Sequence, residues 1–282
     1  MSVRPLVSAE WLLEHLNDPG VRIVEVDYDP ATAYEIGHIP GAVLVDWRRD
    51  LNKYPERDII GAEGFERLMS KLGIGNDSHV VLYGDYNNWF AAFAYWIMKI
   101  YGHDQVSLLD GGRTYWIKKG YPMTREPPSI QEASYKATRI DLTLRAYFLD
   151  VLKKLRDPST VLVDVRSPDE YKGKITAPPE YPNEQAQRAG HIPGAVNIPW
   201  AQAVQEDGRF KPLEELRKLY ESMGVTRDKE VIVYCRIGER AAHTFYVLRE
   251  LLGYPKVRVY DGSWSEWGNM VGAPIEKSQD QQ

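Results

Sequence analysis

The sequence predicts an α/β protein made of two tandem copies of one domain, each a mainly parallel sheet flanked by helices. Short apolar strands alternate with helical patterns along the chain, which is the signature of a parallel sheet covered by its own crossovers. A series of local motifs recurs in the same order at nearly constant offset. The only cysteine, Cys235, stands between one such strand and one such helix, in the second copy alone.

Ser8 is a plausible N-cap for a short helix carrying Trp11, Leu12, Leu13 and Leu16, and Pro19-Gly20 ends it. Val21 to Val26 reads as a buried strand. Tyr28 to Ile36 is loop and helix, leading into Gly37-His38-Ile39-Pro40-Gly41-Ala42 and the apolar Val43-Leu44-Val45. Phe65 to Leu72 has helical spacing, and Val80 to Tyr83 is a further strand. After Gly84-Asp85 an apolar helix spans Trp89 to Tyr101, followed by the strand Val106 to Leu109. Asp110-Gly111-Gly112 closes that strand before a short helix with Tyr115 and Trp116.

The pattern then restarts. Tyr147 to Leu155 is the second copy's first helix and Val161 to Val165 its first strand. Gly190-His191-Ile192-Pro193-Gly194-Ala195 repeats the earlier hexapeptide, with Trp200 answering Trp47 at the same distance. Leu72-Gly73-Ile74 returns as Met223-Gly224-Val225, Val80 to Tyr83 as Val231 to Tyr234, Gly102 as Gly253, Asp110-Gly111 as Asp261-Gly262, and Trp116 as Trp267. A collinear series of this kind is a tandem duplication. The organisation is therefore 1–123, a linker at 124–141 containing Pro127-Pro128, and 142–282, with Ser278 to Gln282 a polar, frayed tail.

Composition bounds the function. The 282 residues are 43% hydrophobic and 27% charged, as in ordinary globular proteins. No run of about 18 apolar residues exists, and the N-terminus turns polar too soon for a secretory signal, so a cytoplasmic protein without membrane attachment is expected. A net charge of −5 argues against nucleic-acid binding. One cysteine excludes an intramolecular disulfide and argues against a metal site, and no cofactor is called for.

The chemistry is concentrated at Cys235-Arg236-Ile237-Gly238-Glu239-Arg240, where a strand runs into a cysteine and a helical pattern begins at Ala241. The plain alternative is a structural buried thiol. Only a thiolate is a strong nucleophile, and backbone N–H groups at a helix start, together with Arg236 and Arg240, are expected to favour it. Gly238 lets the loop turn those N–H groups inward. Four residues separate Cys235 from Arg240, whereas a phosphate-wrapping loop needs five. The tighter cradle fits an extra sulfur on the cysteine better than a tetrahedral phosphate. In the first copy the cysteine falls opposite Gly84, so that copy lacks a nucleophile and supports rather than catalyses.

With that loop, the paired hexapeptides and Asp261-Gly262-Ser263-Trp264, the whole chain resembles the two-domain rhodaneses, the thiosulfate sulfurtransferases. The resemblance implies a ping-pong reaction: Cys235 takes the outer sulfur of thiosulfate, sulfite leaves, and the persulfide passes its sulfur to cyanide or a thiol, a thioredoxin-like or other protein acceptor included. It implies backbone donors from Arg236 to Arg240, Ile237, Gly238 and Glu239 among them, around the persulfide, and a Ser263 hydroxyl near the sulfur. Vertebrate-type members carry a lysine where Ile237 stands and an anion-binding arginine where Glu170 stands. Arg240 is the expected replacement, with Lys172, Lys174 and Arg188 as further sources. Arg236 argues against the sister mercaptopyruvate sulfurtransferases, which have a small neutral residue there. The missing cations also leave room for a persulfide carrier that serves a protein partner.

Other residues have plainer readings. His38 and His191 recur in both copies and fit a turn role, and His243 fits packing. Asp164 and Arg166 fit an ion pair beneath the loop. Tyr28 and Trp89 fit either ordinary core or an apolar wall facing the site. The irregular stretch Gly173 to Arg188, with Pro178, Pro179 and Pro182, reads as a surface insertion or as a lid contributing Lys174 or Arg188 to the pocket.

Overall fold

The computed structural model describes residues 3–178 and 185–277; the expectations for Pro179, Pro182 and the tail at 278–282 lie outside them. The chain divides into two compact units, Met1–Leu142 with Gln205–Phe210, and Thr143–Val204 with Lys211–Gln282.

The first unit runs β1 Leu6–Val7, α1 Ala9–Glu14, β2 Val21–Asp27, β3 Val43–Asp46, α2 Trp47–Asp50, β4 Asn52–Lys53, β5 Asp58–Ile59, α3 Ala62–Lys71, β6 His79–Tyr83, α4 Asp85–Ile100, β7 Val106–Leu109 and α5 Gly112–Lys118. Five strands form a parallel sheet in the order β1-β7-β6-β2-β3. β4 and β5 make a small antiparallel hairpin. The strands are apolar on both faces because helices cover both sides. Ser8 caps α1, its hydroxyl accepting the Trp11 N–H at 3.1 Å. The segment 124–141 forms no helix or strand and is tied to its own unit by Ala133 N–H to Ser70 O (3.0 Å) and Lys136 to Glu66 (2.9 Å).

The second unit runs α6 Phe148–Lys153, β8 Thr160–Asp164, α7 Pro168–Lys172, β9 Val196–Asn197, α8 Leu213–Glu221, β10 Glu230–Tyr234, α9 Glu239–Tyr246, β11 Val257–Val259 and α10 Ser263–Trp267. Its parallel sheet has the order β11-β10-β8-β9. The strand that delivers Cys235 is thus internal. Trp264 and Trp267, both fully buried, anchor the core on which it rests. Each such ring contributes on the order of 4–6 kcal/mol of transfer free energy.

The duplication has a physical basis in one buried node. In the second unit the Tyr234 hydroxyl donates to Asp164 at 2.8 Å and accepts the Ile192 N–H at 3.1 Å. In the first, the Tyr83 hydroxyl donates to Glu25 and accepts the Ile39 N–H at 2.9 Å. The strand tyrosine therefore pins the isoleucine of each hexapeptide. Each carboxylate is completed by an arginine from a different place, Arg166 at 2.6 Å and Arg113 at 2.8 Å. The hexapeptide histidines keep their turn role: His38 stacks on Tyr34 and His191 on Tyr171, with centroids 3.9 and 3.7 Å apart, and a ring nitrogen of each meets the carbonyl of that same tyrosine.

The first unit's counterpart of the cysteine loop is closed. A Cβ on Gly84 would lie 2.0 Å from Val26 O. Tyr86, Asn87 and Asn88 follow in the left-handed region (φ 47°, 56° and 65°), so the regular helix starts at Trp89 as its apolar run predicts. The Asn88 side-chain oxygen accepts the Gly84 N–H at 3.1 Å, as the Ser263 hydroxyl accepts the Cys235 N–H in the second unit. Among the described residues no helix is long and apolar enough to cross a membrane.

Candidate active site

Cys235 follows β10 at the carboxyl end of a parallel sheet, the end where such folds gather their ligand sites. Gly238, at φ 102°, reverses the chain and lets α9 begin at Glu239, two residues earlier than its apolar pattern predicts. Glu239 and Arg240 therefore belong to the helix's first turn rather than to a loop. The Gly238 N–H reaches Cys235 Sγ at 3.1 Å. Cys235 is fully buried, and Arg236, Ile237, Glu239 and Arg240 are all buried around it.

The loop is clamped from α10. The Trp264 N–H donates to Cys235 O and the Ser265 N–H to Arg236 O, each at 3.0 Å. Ser263, itself left-handed at φ 52°, accepts the Cys235 N–H at 3.1 Å and donates to Tyr260 O at 2.7 Å. Its hydroxyl thus holds the cysteine's backbone N–H. Beneath the loop Asp164 and Arg166 form a fully buried pair, and Arg166 also reaches Gly190 O at 2.7 Å and lies 4.5 Å above the Trp264 ring. That is the orienting ion pair the sequence predicts.

The charge arrangement differs from expectation. Arg240 makes two bonds to Glu170, at 2.9 and 3.1 Å, and its Nε lies 3.4 Å from Glu239. Glu170 is the third residue of α7 and closes a capping box with Ser167. Burial alone would raise the Glu170 carboxyl, but Arg240 holds it below its ordinary value. Arg240 is therefore paired with the very residue whose presence made a replacement cation necessary, while its charge still favours the Cys235 anion.

Cys235 Sγ donates to Glu239 Oε2 at 3.3 Å. Burial and then the Glu239 carboxylate push the thiol up to about 11, against Arg240 and the N–H groups of Ala241 and Gly238. Dehydration and the adjacent acid thus oppose the helix start at this sulfur. Glu239 was readable only as one loop residue among several, although it lies four residues from the cysteine across a helix start.

Arg188 is committed elsewhere. It donates to the carbonyls of Gly268 (3.1 Å), Ala273 (2.9 Å), Trp267 (3.0 Å) and Met270, tying the chain that follows α10, so it gives no charge to the pocket. Part of the insertion read as a lid lies outside the described residues. His243 is buried against Trp200, edge to face at 5.5 Å. Tyr28 and Trp89 belong to the first unit. There Tyr28 stacks on Phe90 (5.1 Å) beneath the Arg48 guanidinium, and Trp89 stacks on Tyr86 (5.7 Å).

Comparison with known proteins agrees with this architecture. The rhodanese-like domain family matches residues 8–119 and 149–270. The sulfur carrier protein TtuD of Thermus thermophilus is 54% identical over 278 residues, covering 98% of this chain and 97% of that protein. A Saccharopolyspora erythraea protein bearing the name "Putative thiosulfate sulfurtransferase" is 52% identical over 276 residues, covering 98% and 97%. Among solved structures, the Escherichia coli protein SseA, described among 3-mercaptopyruvate sulfotransferases, superposes with a TM-score of 0.79 at 29% identity, covering 93% of this chain and 99% of that one. With both halves matched and relatives above half identity along the full length, the chain belongs to the rhodanese-like family, as two tandem domains of that fold.

Proposed function

We propose that the protein is a sulfurtransferase in which Cys235 accepts the outer sulfur of thiosulfate, releases sulfite and passes the sulfur, as a persulfide, to cyanide or a thiol. The observation that carries this reading is the placement of Cys235 Sγ 3.1 Å from the Gly238 N–H at the start of α9. A persulfide anion there gains the same backbone donors and, unlike a phosphate, needs no wider loop. The name of the Saccharopolyspora relative supports thiosulfate as donor. SseA brings mercaptopyruvate as a second donor, against which the buried Arg236 beside the cysteine counts.

A second reading is favoured by one feature: the Arg240 charge is spent on Glu170, which leaves less attraction for a free dianion. On that reading the protein carries persulfide sulfur to a protein partner, as the name of the Thermus relative supports. Steady-state thiocyanate formation from thiosulfate and cyanide tests the choice. Turnover that is fast without any partner and lost in Cys235→Ser supports the enzyme; loading of Cys235 with negligible turnover supports the carrier. Turnover retained in Cys235→Ser removes both.

A further inference from the structure

Cys235 Sγ and Glu239 Oε2 are 3.3 Å apart, and the other oxygen of the same carboxylate lies 3.4 Å from Arg240 Nε. Arg240 is fixed in turn by both oxygens of Glu170, which the Ser167 capping box holds on α7. All four side chains are more than nine-tenths buried. Nucleophile, proton acceptor and orienting group thus stand in sequence, the arrangement by which weak nucleophiles are activated. We propose that Cys235, Glu239 and Arg240 form a catalytic triad in which Glu239 takes the thiol proton as the sulfur attacks its donor, with Arg240 holding the carboxylate in line. The proposal rests on Cys235 being the sulfur-accepting nucleophile.

The step balances without further reagents. The Sγ–H bond breaks with its proton passing to Glu239 Oε2, and the sulfur lone pair forms the new S–S bond to the outer sulfur of thiosulfate. The donor's own S–S bond breaks, its electron pair leaving on sulfite. Glu239 then returns the proton to the departing sulfite or to water, and the persulfide anion stays on the Gly238 N–H. The charged group acting on the pair is Arg240 on α9, itself held by Glu170 on α7. The α10 side offers the neutral Ser263.

A base is needed because the free thiolate is scarce. With the thiol pushed up to about 11, roughly one molecule in ten thousand carries it at pH 7. General-base assistance is typically worth about 10²–10⁴-fold, and the upper end of that range offsets the deficit.

The test is the pH dependence of two single-turnover reactions of the full chain, alkylation by iodoacetamide and sulfur loading by thiosulfate, with thiolate absorbance followed in parallel. Wild type is expected to react at a rate flat between about pH 6 and 9 without thiolate absorbance, because Glu239 replaces hydroxide. Glu239→Gln is expected to lose the plateau and rise about tenfold per pH unit, as a lone thiol below its pKa does. Glu239→Asp, which keeps the acid but shortens its reach, is expected to keep a lowered plateau, and serves if the Gln variant does not fold. A wild-type rate that itself rises tenfold per pH unit, thiolate absorbance at pH 7, or a plateau surviving in Glu239→Gln overturns the triad. Contrasting alkylation profiles with no loading by thiosulfate would count against that donor and leave the triad standing. Normal loading with identical profiles would do the reverse.

Discussion

Replacing Glu170 by Gln isolates the charge arrangement on which the site depends. The Glu170 side chain is 0% exposed and that of Arg240 4%, and the two make two bonds at 2.9 and 3.1 Å. The amide keeps the shape but removes the charge that holds the guanidinium by two bonds, leaving only Glu239 at 3.4 Å, and leaves one oxygen to serve both Arg240 and the Ser167 capping box. Breaking one side of a buried pair costs about 3–5 kcal/mol, because the remaining charge stays dehydrated. With a urea m-value of about 2–3 kcal/mol/M, the unfolding midpoint should fall by about 1–2.5 M. Glu214→Gln, which removes the exposed partner of Arg217 (86% and 43% exposed), should move it by less than about 0.5 M, as for screened surface pairs. The Glu170 variant has a second signature: Arg240, released from Glu170, should lower the Cys235 thiol from about 11. A midpoint shift no larger than that of Glu214→Gln, with an unchanged thiol titration, would refute the reasoning.

Three further outcomes follow from the same structure. Gly84→Cys should not arm the first unit, since its Cβ would sit 2.0 Å from Val26 O; in a Cys235→Ser background it should unfold at lower urea than its parent and take up no sulfur on intact-mass analysis. Burial pushes His243 down to about 3, so the folded state keeps it neutral while the unfolded chain titrates near 6.5. Stability should therefore fall as pH drops through that window, by up to tenfold in the folding constant per pH unit, and His243→Leu should flatten the slope in urea titrations. Arg188→Ala should destabilise by about 2–4 kcal/mol, through carbonyls left without their donor, while leaving the Cys235 thiol titration unchanged.

The architecture was readable because its signals are local. An apolar run into a cysteine, a glycine where the chain reverses, and a repeated Gly-His-Ile-Pro-Gly-Ala each occupy a few consecutive residues. The Asp164–Arg166 pair was equally accessible, since its members are two residues apart. The Arg240–Glu170 pair was not, because seventy residues separate the partners and only the meeting of α7 with α9 brings them together. Without that pairing, Glu170 looked like a lost cation and Arg240 like its substitute. The helix start at Glu239 was missed for another reason: the apolar period begins at Ala241, while Gly238 sets where the backbone turns. The two-residue strand Leu6–Val7 carries no period at all, and exists only through its pairing with Leu108 and Leu109.

The central claim is that Cys235 carries the transferred sulfur. Intact-mass spectrometry of the full chain after thiosulfate tests it most directly. A gain of one sulfur atom is expected, localised to Cys235 by peptide mapping, reversed by cyanide and absent from Cys235→Ser. A protein that gains no sulfur from thiosulfate or mercaptopyruvate, or one that gains it equally with Cys235 replaced, does not carry its sulfur on this cysteine.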